Sequence, residues 1–278
     1  MNVFALMFGV TVCYTITSFS DKYAVSKAKF SGDEFTFLMC SSLSVFTLLS
    51  LPFQDIYFTL TWQSFAAILL IAVCKIFEFQ MNAIVLRQLS AFELKAWIGV
   101  TLFVSYLTDV IYGAELSMLK LLCIAATVTG LALIVRSGRE NKIEYRKIAV
   151  PLALYLAAKY GYGLIIKTFT PYVSPTMQFM PALMLVSLIM LTKINLVEIF
   201  KKNKKGAANV ILARIPNTAG MLIENIVISV SLASYSFIQP MILISLFVIG
   251  IIQRNRYSRF NLAGSIICIA GVVIFQLV

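Results

Sequence analysis

Ten apolar runs divide this sequence, each poor in charge and at least about 18 residues long, the length from which an apolar run reads as a membrane span. They cover approximately 3–20, 35–53, 63–86, 92–112, 117–136, 148–166, 175–193, 208–230, 233–252 and 260–278. About 20 residues of helix cross a hydrocarbon layer about 30 Å thick. Lipid offers a backbone no hydrogen-bond partner, so the spans are expected to be helices. The fold class read from the sequence is an all-α integral membrane protein with ten transmembrane helices. The first run lacks a basic leader and a small-residue cleavage pattern, and is expected to stay as a span. Pro52, Pro171 and Pro175 fall at span ends, whereas Pro181, Pro216 and Pro240 fall inside spans and predict kinks.

Composition narrows the function classes. Of 278 residues, 60% are hydrophobic and 13% charged, and the mean hydropathy is +0.91. Soluble domains run about 45–50% apolar and about 25% charged. The polar stretches are too short for a soluble catalytic domain, and no phosphate loop, nucleotide motif or catalytic triad occurs. The expectation is that the chain is not an enzyme. The net charge of +11 sits in short clusters between apolar runs, which argues for cytoplasmic loops against lipid and for no nucleic-acid partner. Cys13, Cys40, Cys74, Cys123 and Cys268 are scattered singly and histidine is absent, so neither a metal nor a cofactor is expected.

Laying Gly130 on Gly271 superposes the apolar runs of the first half on those of the second. The same shift puts Tyr14 on Tyr155, Ser90 on Ser231 and Ile111 on Ile252. One gapless offset carries more weight than any single pair. The chain divides into residues 1–137 with five spans, a basic connecting loop at 138–146, and residues 147–278 with five more. An odd number of spans per half inverts the second half, the plan of two inverted five-helix repeats found in secondary transporters.

Gly113-Ala114-Glu115-Leu116, followed by Leu121 through Val135 with Gly130, resembles the Gly-Glu turn and last helix of an EamA-like repeat. Arg254-Asn255-Arg256, followed by Gly264 and Gly271, resembles the same element in the second half. The chain is thus similar over its whole length to the drug/metabolite transporter (DMT) superfamily. It departs from the pattern where Arg256 replaces the usual Glu and where Gly99 stands opposite Pro240. The resemblance implies a ten-helix carrier with a central cavity lined by helices one, three, four, six, eight and nine. It implies no particular substrate.

Charge sets an orientation. Lys75, Lys95, Lys159 and Arg214 lie within spans. Of the remaining 19 Lys and Arg, 17 lie after spans one, three, five, seven and nine, and only Lys120 and Lys167 lie opposite. This bias puts the odd-numbered loops in the cytoplasm and both termini outside, in a multi-pass cell (plasma or inner) membrane protein. The family often has both termini inside; the charge count is preferred because it belongs to this chain.

Polar groups within spans mark the candidate site, since a charge at mid-bilayer costs about 2.5–3.5 kcal/mol on insertion scales. Span three carries Lys75, Glu78 and Asn82 on one helical face, either a local pair or a cavity-facing set. Span eight carries Arg214, Asn217, Met221, Glu224 and Asn225 on one face. Arg214 and Glu224 are about 15 Å apart along the axis, so each needs a partner elsewhere. Span six offers Tyr155, Lys159 and Tyr162, an aromatic and basic face suited to a carboxylate or a π-system, or to a snorkelling lysine. Lys159 has no carboxylate within a turn and is read as the cation more available to a substrate anion. Trp97 on span four and Gln239 beside Pro240 on span nine complete the substrate-binding candidates. Tyr14, Thr17, Ser18 and Asp21 form a weaker polar stripe, and Asp109, near a span end, is read as solvated. Glu78 and Glu224 are the candidates for a coupling carboxylate. Spans five and ten carry small residues and no interior charge, and read as packing or homodimerisation helices.

The function expected is a secondary active transporter moving a small polar or zwitterionic, amino-acid-like metabolite by alternating access. A channel, a lipid-head-group flippase subunit and a non-transporting membrane assembly partner stay open as alternatives.

Overall fold

The computed structural model describes residues 3–89, 91–99, 101–137, 145–252 and 259–277. These form eleven α-helices: α1 (Val3–Ser26), α2 (Gly32–Ser50), α3 (Trp62–Gln88), α4 (Ala91–Ile98), α5 (Thr101–Ile111), α6 (Met118–Ser137), α7 (Tyr145–Phe169), α8 (Pro175–Leu191), α9 (Leu196–Val230), α10 (Leu232–Ile252) and α11 (Arg259–Leu277). A 3-10 turn, Leu51–Phe53, extends α2. Among the described residues, strand pairing is limited to one bridge between Phe58 and Val173. The chain is all-helical. The basic connecting loop and the Arg254-Asn255-Arg256 motif fall largely or wholly outside the described residues.

Among the described residues, six helical stretches are long and apolar enough to cross a membrane: Val3–Ser26, Gly32–Phe53, Trp62–Gln88, Arg146–Phe169, Asn203–Val230 and Leu232–Ile249. Four shorter apolar stretches accompany them: Thr101–Ile111, Met118–Leu133, Pro175–Leu191 and Leu262–Phe275. Their outward faces are apolar. On α1 the exposed positions include Phe8, Val12, Ile16 and Phe19, at helical spacing, while Tyr14, Thr17 and Ser18 are buried. A water-soluble bundle distributes residues the other way.

The run at 92–112 departs from a single helix. It is shared by α4 and α5, with a break at Gly99, whose N–H is bonded to Lys95 O at 3.3 Å. Glycine weakens helix propagation by about 1 kcal/mol relative to alanine, which accounts for a break at this position. Opposite it in the shifted alignment, α10 runs unbroken through Pro240. Helix α9 bends at Asn203 (φ −156°, ψ 77°), whose Oδ1 accepts from Gly206 N–H at 2.7 Å and so caps the part that follows.

Helix α1 packs along α9 and α3 along α7, while α2 meets α8, α6 meets α11, and α10 lies against both α4 and α5. The helix bounds recur under the shift that lays Gly130 on Gly271. Ala91 and Ile111 move onto Leu232 and Ile252, the limits of α10, and Trp62 moves onto Asn203, where the long part of α9 begins.

Helices α6 and α11 repeat the offset in their packing. A Cβ on Gly130 would stand 2.6 Å from Gly264 O and 2.8 Å from Cys268 Sγ. One on Gly271 would stand 2.9 Å from Cys123 O and closer still to Thr127 Oγ1. Under the shift, Gly130, Cys123 and Thr127 become Gly271, Gly264 and Cys268, so the two contacts interchange. Gly130, Gly264 and Gly271 are thus used for packing within the chain.

Candidate functional site

Three helices bring charged groups together in the interior, and a fourth adds a tyrosine hydroxyl. Lys75 and Glu78 lie one turn apart on α3, and Lys75 Nζ donates to Glu78 Oε2 at 2.6 Å. Lys159 on α7 places its Nζ 3.3 Å from Glu78 Oε1 and 3.7 Å from Glu224 Oε1 on α9. Tyr14 on α1 donates its hydroxyl to Glu224 Oε2. The result is a charge-balanced chain of two ammoniums and two carboxylates, all at most 9% exposed. Burial of each ion is offset by the next, since removing a buried charge from its partner costs several kcal/mol.

Close packing sets this geometry. A Cβ on Gly220 would lie 2.8 Å from Cys13 Cβ and 3.0 Å from the Tyr14 ring, so glycine there lets α9 approach α1 one turn before Glu224. Aromatic rings surround the ammoniums. Lys75 Nζ lies 3.7 Å from the Tyr162 ring centroid and 5.4 Å from that of Phe179; Lys159 Nζ lies 5.7 Å from the Tyr235 ring and 5.9 Å from Tyr14. Tyr162 in turn donates to Asn225 Oδ1 at 2.7 Å.

The cluster forms one wall of a cavity of about 720 Å³, its mouth included. Lys75, Glu78, Asn82, Tyr155, Lys159, Asn217 and Glu224 line it, with Tyr14, Asp21 and Lys95 among the others. Exposure rises toward Asp21 and Lys95, where α1 ends and α4 begins, while Glu224 is only 1% exposed. The cavity therefore opens at the end of the bundle that holds the C-terminus of α3 and the start of α7. Helix α2 also contributes Met39 and Leu43, and no α10 residue is part of the lining. Both differ from the helix set that the family resemblance implies.

The opposite end is closed. Asp109 accepts from Ser231 Oγ and Ala233 N at 2.8 Å and from Leu232 N at 3.0 Å, and pairs with Lys167. One carboxylate thus caps α10 and ties it to α5 and α7. Tyr57 and Thr59 donate to Thr170 O and Tyr172 O beside it. Asp109 is 5% exposed, which corrects its reading as a solvated end group.

The other candidates occupy different places. Arg214 is fully buried and pairs with Asp21 of the lining, with Nε donating to Val210 O at 3.1 Å. Arg214 and Glu224 do find separate partners, as their axial separation requires. Lys159 is engaged by two carboxylates, which corrects its reading as an available cation; both come from other helices and were invisible to a one-turn search. Tyr162 is buried under Lys75, Trp97 packs partly buried against the core, and Gln239 lies buried on α10 with neither amide atom hydrogen-bonded. None of Tyr162, Arg214, Trp97 and Gln239 lines the cavity. Sequence reasoning gave no role to Tyr235 or Phe179, which look like ordinary span residues. It noted Lys95 within a span without assigning it to the site, although a lysine in an apolar run is a signal.

No protein-family model matches the chain, and no curated protein matches it.

Proposed function

We propose that this chain is a secondary carrier that moves a small polar or zwitterionic, amino-acid-like metabolite across a cell membrane by alternating access. The observation that carries this reading is the balanced Lys75–Glu78–Lys159–Glu224 cluster at the blind end of a cavity open at one end only. Four ions at depth are costly to insert even when paired with one another, and ionisable groups within spans mark solute pathways. Donors and acceptors of both signs suit a ligand that carries both, and Glu78 and Glu224 are the coupling candidates.

The recurrence of helix bounds under a single shift supports two inverted five-helix repeats, 1–137 and 147–278, in a ten-span chain of DMT type. Under that shift, the α1–α9 interface maps onto α7–α3. Two related interfaces of this kind give a carrier two related ways to close, which is what alternating access requires. The charge bias of the loops supports an open end facing the cytoplasm, with both termini outside.

The test is a thermal-shift screen of the purified protein against amino acids and other small polar metabolites, followed by counterflow of a labelled hit into proteoliposomes. Protein-dependent exchange of a stabilising hit is the expected result. Conductance without exchange would indicate a channel, movement of labelled lipid a flippase, and none of these an assembly partner.

A further inference from the structure

Beyond the balanced cluster, the cavity holds one cation that its carboxylates do not neutralise. We propose, resting on the carrier reading, that the ligand is a small organic acid, bound with its acidic group at Lys95 near the mouth.

The charges can be followed one by one. Lys75 and Lys159 are matched by Glu78 and Glu224. Asp21, the third carboxylate of the lining, is taken by Arg214. Lys22, close to the mouth, has its ammonium hydrogen-bonded to Leu86 O and Leu89 O, and Glu93 on α4 is engaged elsewhere. Lys95 is left. It lines the cavity half-buried, and among the described residues no carboxylate stands within 4 Å of its ammonium and no acceptor bonds it. An unmatched cation in a cleft with low-dielectric walls draws anions and raises their local concentration.

The deeper wall offers acceptors. Asn82 Oδ1 is buried without a hydrogen bond, and Glu224 Oε1 has none either, its nearest cation being Lys159 at 3.7 Å. A ligand with an acidic group at one end and hydroxyl or amine donors at the other would meet Lys95 at the mouth and these oxygens at depth. A ligand with no acidic group leaves Lys95 unmatched, and a net cation is repelled by it. Within the small polar or zwitterionic class, this narrows the substrate to a solute that carries an acidic group.

The test reads the sign of the cavity without needing the ligand. Asn217→Cys, on the cavity wall, and Leu60→Cys, exposed at the opposite end, are made in a full-length background with the five native cysteines replaced. Each is reacted with the sulfonatoethyl and the trimethylammonioethyl methanethiosulfonates, similar in size and opposite in charge. The anionic reagent is expected to be favoured at position 217 by about tenfold relative to position 60, the scale of one nearby charge at intermediate dielectric. Lys95→Gln should erase most of that preference, and Lys95→Arg should keep it. A ratio unchanged by Lys95→Gln, or a preference for the cationic reagent, overturns the proposal. No reaction at position 217 with either reagent overturns the open cavity on which both readings rest. A charge preference without transport of any solute leaves this inference standing and sinks the carrier.

Discussion

Lys167 on α7 is ion-paired to Asp109 on α5 at the end of the bundle away from the cavity mouth. The same carboxylate caps α10, so one side chain holds three helices across the closed end. On the proposed carrier function, an alternating-access cycle has to release this tie. Lys167→Met removes the ion pair and leaves the helix cap in place. The closed end should then open more often, with Ser236→Cys, buried one turn into α10, reacting with an impermeant thiol reagent at least several-fold faster. An unchanged rate would show that the tie is not a gate.

Glu78 and Glu224 are predicted to differ in what they stabilise. Glu78 faces two ammoniums, so Glu78→Gln leaves both under-matched in the interior, a defect of about 3–5 kcal/mol. Glu224→Gln leaves Lys159 with Glu78, and the new amide can still accept from Tyr14. Thermal unfolding in detergent should show a clearly larger loss of Tm for Glu78→Gln. Equal losses would contradict the network.

In transport, Glu224→Gln is expected to flatten the pH profile of net uptake while counterflow exchange continues, because exchange needs no net proton movement. A wild-type profile in that variant removes Glu224 from coupling.

Gly271→Val should destabilise the α6–α11 interface. Its first added carbon would already stand 2.9 Å from a carbonyl oxygen and closer still to Thr127 Oγ1. Overpacking of this kind costs about 1–3 kcal/mol. Gly32→Ala, with nothing within 4 Å of the added carbon, is the control and should be neutral. The pair is compared by thermal unfolding.

Orientation is checked with Lys204→Cys and Leu60→Cys, both at exposed positions at opposite ends. In intact cells an impermeant thiol reagent should label position 60 and spare position 204. The reverse pattern would place both termini inside.

What the sequence by itself determined is helix: where the apolar runs lie and which faces are polar. These properties are local or periodic, because hydrogen bonding within lipid leaves little choice but helix and the 3.6-residue turn assigns each side chain a face. The break at Gly99 lay within reach of the same reasoning, since glycine marks a weak point in a helix, but an unbroken apolar run masks it. Tertiary structure alone decided which charge meets which. Lys159 had no carboxylate within a turn, yet it lies against Glu78 and Glu224 from two other helices, and Asp109 is buried as a cap on α10 instead of facing water. Ion pairing and capping act over a few ångströms in space, whereas these partners stand far apart in the chain. Only the packing of α1, α3, α7 and α9 brings the cluster within those distances, and only after every pair is formed does Lys95 stand out as the charge left over.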